Sequence, residues 1–151
     1  MNAIELLKQD HERVKDMLNK LTETGERAVK TRTELLEKIE QEISLHTRIE
    51  EEVLYPALRQ EGDKEEVKMT HEAKEEHRAV DDLVLPDLLK TDVGSLEFSG
   101  RAKVLKELME HHIEEEESEM FPMCEKTFDA KRLEEMGQQM ADLKKSLKKA
   151  S

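Results

Sequence analysis

Cysteine is almost missing from this chain of 151 residues: Cys124 stands alone, which excludes an internal disulfide and any thiolate-rich zinc or iron–sulfur centre. A reducing compartment is the matching expectation. Tryptophan is absent, aromatics make up 3%, and there are only 5 glycines and 3 prolines, so a β-rich fold has little to build on. No apolar run approaches the roughly 18 residues of a membrane span. The opening residues Met1-Asn2-Ala3-Ile4-Glu5-Leu6-Leu7 lack a basic stretch followed by an apolar one, and a cytoplasmic protein is expected. Positive charge is also short, with 25 Lys and Arg against 37 Asp and Glu and a formal net charge of −12. That balance disfavours nucleic acid and anionic membranes as partners and favours cations.

What is present is charge, Glu, Lys, Leu and Met. Charged residues reach 41% and the mean hydropathy is −0.82, values that would suit disorder if the apolar residues were scattered. They are periodic instead. Ile4, Leu7, His11, Val14, Leu18 and Leu21 follow a three-four spacing, which predicts an amphipathic helix capped by Asn2 and ended by Gly25. A second helix is expected from within Arg27 to Thr33 to about Gln60, with Leu35, Ile39, Ile43, His46, Glu50, Val53 and Ala57 on one face and Pro56 kinking its last turns. A third runs from about Asp63 to Leu89 with Val67, Thr70, His77, Val84 and Leu88 inward, Ala73 competing with Lys74 and Val80 with Asp81. A fourth starts between Ser95 and Arg101 and ends near Cys124, with the stripe Leu105, Leu108, His112, Glu116 and Glu119. Asp129 then caps a fifth, carrying Leu133, Met136, Met140, Leu143 and Leu147. The expectation is an all-α, antiparallel four-helix up-down bundle over residues 1–126, with an additional C-terminal helix in 127–151 that packs on the bundle or serves association.

Two stretches of the chain repeat. His46-Thr47-Arg48-Ile49-Glu50 leads to Leu54-Tyr55-Pro56, and His112-Ile113-Glu114-Glu115-Glu116 leads to Met120-Phe121-Pro122. Sliding the sequence by 66 positions superposes His11 on His77, His46 on His112, Glu50 on Glu116 and Pro56 on Pro122. The chain reads as a duplicated helical hairpin, about 1–62 and 63–126, each half offering one histidine from its first helix and a His-x-x-x-Glu pair from its second. The same offset selects His112 over His111, which has an equal spacing to Glu115, and gives His71 no support. Cys124 has no feature marking it as activated.

Four imidazoles and two carboxylates facing the interior of one bundle can build a metal site. These donors suit iron, manganese or zinc, and six protein ligands would crowd a single ion, so two ions are preferred. Glu50 and Glu116 can then bridge, with His11 and His46 on one ion and His77 and His112 on the other. Glu51 and Glu117 lie beside these ligands and are read as solvated surface charge in preference to contacts of the site.

The ordered set His11, His46-x-x-x-Glu50, His77, His112-x-x-x-Glu116 resembles the hemerythrin-like family of HHE cation-binding domains over about residues 1–126. The resemblance implies a four-helix bundle with an oxo- or hydroxo-bridged non-heme diiron centre that binds dioxygen or a related small molecule for sensing, storage or delivery. Two positions depart from the family's oxygen carriers: Ala73 stands where they have a further histidine, and Glu116 stands in place of an aspartate five residues after its histidine. Reversible oxygen carriage is therefore set against two alternatives, an enzyme acting on peroxide or nitric oxide and an iron-responsive regulatory module. A monomer or weak homodimer is expected.

Overall fold

Side-chain caps organise the helix starts, those at Asn2 and Asp129 as the sequence predicts. The Asn2 side chain accepts the Glu5 N–H at 2.9 Å while the Glu5 carboxylate accepts the Asn2 N–H at 3.1 Å, opening α1, Ala3–Thr22. Ser95 caps the helix that begins at Leu96 through the Phe98 N–H, and Asp129 accepts the Arg132 N–H at the start of α5, Ala130–Ala150. The computed structural model describes residues 1–150, and every regular element among them is helical. Helix α2 spans 29–61, α3 spans 64–89 behind the Asp63 cap, and α4 spans 96–127.

Each of α2, α3 and α4 changes its winding once. Five- or six-residue π-helical turns, Glu50–Leu54, Ala79–Val84 and Glu116–Met120, interrupt them, and the α-helix resumes at Tyr55-Pro56, Leu85-Pro86 and Phe121-Pro122. A proline lacks the N–H of the regular ladder and crowds the carbonyl four residues back. The wider turn accommodates it: the Tyr55, Leu85 and Phe121 N–H groups bond to the carbonyls of Glu50, Val80 and Glu116, five residues earlier. The kink expected at Pro56 is thus expressed as a change of helical winding. The wide turn also rotates the inward face by one residue. Val53, Val84 and Glu119, expected on the stripes, are only partly buried or exposed, and their successors Leu54, Leu85 and Met120 are buried.

Short loops connect α1 to α4 as an antiparallel bundle. Two apolar cores fill it. One joins Leu7, Ile49, Leu54, Leu58 and Phe121 to Met136 and Met140 of α5; the other joins Leu18, Leu21, Ile39, Leu88, Phe98 and Leu105. In every helix of the bundle, the histidines and glutamates of the repeat fall between these cores. At the far end the buried Arg32 guanidinium donates to the Thr24, Val93 and Ser95 carbonyls and the Ser99 hydroxyl, tying two loops together.

Helix α5 lies against α1 and α2 with Leu133, Met136, Gly137 and Met140 buried. The fit is close at Gly137, where an added Cβ would meet the Met1 carbonyl oxygen and the Asn2 and Ala3 backbone. One charge of α5 also points inward: Lys144 donates to the buried Asp10 carboxylate of α1.

Candidate metal centre

His11, His46, His77 and His112 are buried, each 6% exposed or less, and Glu50 and Glu116 are as deeply buried, at 0% and 1%. Their reactive atoms converge. The Glu50 Oε1 atom lies 3.2 Å from His46 Nε2, 3.1 Å from His77 Nε2 and 3.7 Å from His112 Nε2. Glu116 Oε1 lies 3.0 Å from His11 Nε2, 3.5 Å from His112 Nε2 and 3.9 Å from His46 Nε2. Two overlapping groups result, His11-His46-Glu50-Glu116 and Glu50-His77-His112, each with donor atoms within 4.8 Å of one another. The carboxylates reach imidazoles of both hairpins, the arrangement needed to span two ions.

All four imidazoles are oriented from outside by carboxylates. His11 Nδ1 pairs with Glu117 at 2.7 Å, His46 Nδ1 with Asp10 at 3.0 Å, His77 Nδ1 with Glu51 at 2.9 Å, and His112 Nδ1 with Glu76 at 2.8 Å. A proton held on each Nδ1 leaves the Nε2 lone pair facing the centre, as in carboxylate–histidine–metal triads. Glu51 and Glu117 are therefore not the solvated charges expected from the sequence. They are partly exposed, but their carboxylates turn back onto His77 and His11. Asp10 and Glu76 carry no ligand spacing of their own. The 66-residue offset nonetheless superposes Asp10 on Glu76 and Glu51 on Glu117, so the repeat held a signal for all four.

The electrostatics of these residues fit a bound cation. His46 Nε2 and Glu50 Oε2 are buried without a hydrogen-bond partner, an expensive state for polar atoms. His77 Nε2 and His112 Nε2 face each other at 3.1 Å, where two lone pairs would repel. Protons supply the missing positive charge when nothing else does. Burial opposes charging of His77, but its hydrogen bonds to Glu50 and Glu51 outweigh that and raise its pKa to about 9. Burial likewise opposes charge on His46 and His112, and the attraction of Glu50 and Glu116 overcomes it, leaving both well above the usual histidine range. Glu50 is held well below the carboxylate range, burial being outweighed by the His46 charge and the surrounding hydrogen bonds.

One polar group at the centre was not singled out by the sequence. The Tyr55 hydroxyl donates to Glu116 Oε2 at 2.9 Å and lies 3.3 Å from Glu50 Oε1, while its ring stacks on His77 with centroids 5.6 Å apart. Burial, with the Glu116 and Glu50 charges, raises its pKa and keeps it a donor. Phe121 holds the equivalent place on His11, 5.6 Å away and nearly parallel, with no hydroxyl to offer.

The remaining histidines stay outside. His71 is exposed, and His111 is 64% exposed, pairing with Glu115 at 2.9 Å. Cys124 is buried, and burial pushes its thiol pKa up, the opposite of an activated nucleophile. Ala73 is buried beside a cavity of about 20 Å³ bordered by Glu72, Glu76, Glu115, Glu116 and Glu119. That is room for one water-sized molecule.

Comparison with known proteins places similar chains beside this one. Residues 2–124 match a family model described as the hemerythrin HHE cation binding domain. Rv2633c of Mycobacterium tuberculosis strain H37Rv, an uncharacterized protein, is 34% identical over 145 residues, covering 93% of this chain and 84% of the relative. The crystal structure of an HHE cation binding domain-containing protein, the Rv2633c homolog of Mycobacterium kansasii, has a TM-score of 0.84 and 31% identity over 97% of this chain and 86% of that one. A DNA nickase of Nostoc sp. is 25% identical over 138 residues, but the match covers 37% of its length.

Proposed function

We propose that this chain, which belongs to the hemerythrin HHE cation binding domain family, holds two iron ions and binds dioxygen or a closely related small molecule at them. His11 and His46 serve one ion and His77 and His112 the other, with Glu50 and Glu116 shared. The observation that carries the reading is the convergence of four imidazole Nε2 atoms, each with its Nδ1 tied to a carboxylate, on two carboxylates placed between the hairpins. Such donors, without a thiolate, suit iron, and manganese or zinc by the same chemistry. Bound iron supplies electron transfer to, and polarisation of, small oxygen ligands.

The chain's own residues then set the terms. The outer carboxylates fix the imidazole tautomers and raise their basicity. Tyr55 holds Glu116 Oε2 in a hydrogen bond, which leaves Oε1 directed at the histidines. The apolar cores above and below keep bulk water from the layer, and Ala73 leaves space beside Glu116. We place this work in the cytoplasm, in a monomer or weak homodimer whose residues 1–126 form the metal-binding unit and whose C-terminal helix braces it.

A second reading, turnover of peroxide, is favoured by the same cavity. Its border of five carboxylates, Glu116 among them, provides proton acceptors beside the site. Metal analysis of protein purified without added metal, with its absorption spectrum, tests the centre: two irons per chain with oxo-to-iron charge-transfer bands are expected. Rapid mixing of the diferrous protein then separates the readings. A stable, reversible adduct supports oxygen binding, whereas oxygen release from added peroxide makes turnover the primary activity. Absence of a second metal ion would sink both.

A further inference from the structure

Beyond the contrast of Tyr55 with Phe121, the two halves of the buried layer differ on their outer sides. Asp10 and Glu76 correspond under the offset, and each accepts from a histidine Nδ1, but their surroundings diverge. Asp10 is fully buried, with Arg13 and Lys144 on its other oxygen. Glu76 is 27% exposed, and its second oxygen lies 3.6 Å from His111 Nε2, which is itself 2.9 Å from Glu115 Oε1. The offset places Leu45 and Ile49, both buried hydrocarbon, where His111 and Glu115 stand.

We propose that Glu76, His111 and Glu115 form a third cation site, at the surface, which takes up a divalent transition-metal ion from solvent and passes it to the His77–His112 half of the buried pair. The proposal rests on the reading of that pair as a metal centre. One imidazole and two carboxylates, with donor atoms within 4.8 Å of one another, are an appropriate set for iron(II), manganese(II) or zinc(II). They sit on rigid elements, His111 and Glu115 one helical turn apart on α4 and Glu76 across from them on α3. Their exposure gives access to solvent and leaves coordination positions for water, which suits a transient station. Glu76 joins the outside to the inside, one oxygen toward His111 and the other on His112 Nδ1 at 2.8 Å. Behind it, the small cavity shared by Glu76, Glu115 and Glu116 provides carboxylate oxygens for the rest of the way. A surface ion pair between His111 and Glu115 alone would require neither Glu76 nor that cavity. The Asp10 side, closed by two cations, would repel an incoming ion.

Manganese(II), read through the loss of its free-ion EPR signal, is the probe. Protein carrying its two irons is expected to bind one further manganese per chain, with the affinity reduced at least tenfold by His111→Ala or Glu115→Gln. His71→Ala, an exposed histidine outside the cluster, leaves that affinity unchanged. The second readout is the anaerobic time course of iron(II) uptake by metal-free protein, which His111→Ala slows several-fold while the final content stays at two. Equal manganese binding in wild type and both variants overturns the site, and lost manganese binding with an unchanged uptake rate overturns its delivery role. A chain that binds manganese in a His111-dependent way yet never holds two irons keeps the surface site and sinks the buried-pair reading instead.

Discussion

An imidazole that must present Nε2 to a metal needs its other nitrogen held, and here four different carboxylates do so. Removing them tests whether they act through the histidines. Glu51→Ala and Glu117→Ala are expected to lower iron affinity by roughly 10- to 100-fold, measured by competition with a chelator, with helical content unchanged by circular dichroism; wild-type affinity in both would return these residues to the solvated role. Tyr55→Phe removes a buried hydroxyl bonded to Glu116 and should destabilise the fold by about 1 kcal/mol and alter the charge-transfer spectrum. The pH dependence follows from His77. Its pKa in the folded, metal-free chain, about 9, stands above the ordinary 6.5, so proton binding favours the folded state. That contribution is complete below about 6.5 and is lost as pH rises through 9, a fall of up to about 3 kcal/mol. Denaturant unfolding of metal-free protein between pH 6 and 9.5 should show stability declining with pH. Metal affinity should climb across the same window, because metal and proton compete for one lone pair.

Between residue and fold, the three π-helical turns and α5 carry the consequences. A wide turn that begins at Glu50 and another that begins at Glu116 sit at the buried layer, each made necessary by a proline six residues on. These turns also explain why an uninterrupted three-four spacing picked Val53, Val84 and Glu119 where Leu54, Leu85 and Met120 point inward. Simple periodicity assumes a constant angle per residue, and a proline-induced wide turn breaks that assumption. Helix α5 is closely seated, since the Met1 carbonyl and the Asn2 backbone fill the space a Gly137 Cβ would take. Gly137→Ala should therefore lower the melting temperature although alanine is the better helix former. The clash displaces the Asn2 cap, for a net cost of about 1–2 kcal/mol. A higher melting temperature would mean that α5 docks more loosely.

For the molecule as a whole, four buried histidines and two buried glutamates lie between two apolar cores, so a cation bound among them is expected to stabilise the bundle. Metal binding at a thousandfold excess over Kd adds about 4 kcal/mol, which for a chain of this size corresponds to a shift on the order of 10 °C. Calorimetry with and without chelator should show that difference; coincident melting curves would rule out a metal-dependent fold. Helix number, helix starts at Asn2 and Asp129, and the convergence of His11, His46, Glu50, His77, His112 and Glu116 on one layer were legible in the amino-acid order, because caps and apolar spacing are local and the 66-residue offset equates positions that a duplicated hairpin must place alike; the start at Ser95 was legible only as a range. The turning inward of Glu51 and Glu117, the Tyr55 hydroxyl on Glu116, and the contrast between a sealed Asp10 and an open Glu76 were decided by the tertiary structure. Periodicity states which way a side chain leaves its own helix. Whether a carboxylate one step off the apolar stripe meets water or an imidazole depends on a neighbouring helix that can lie more than a hundred residues away, as Glu117 does from His11 and Lys144 from Asp10.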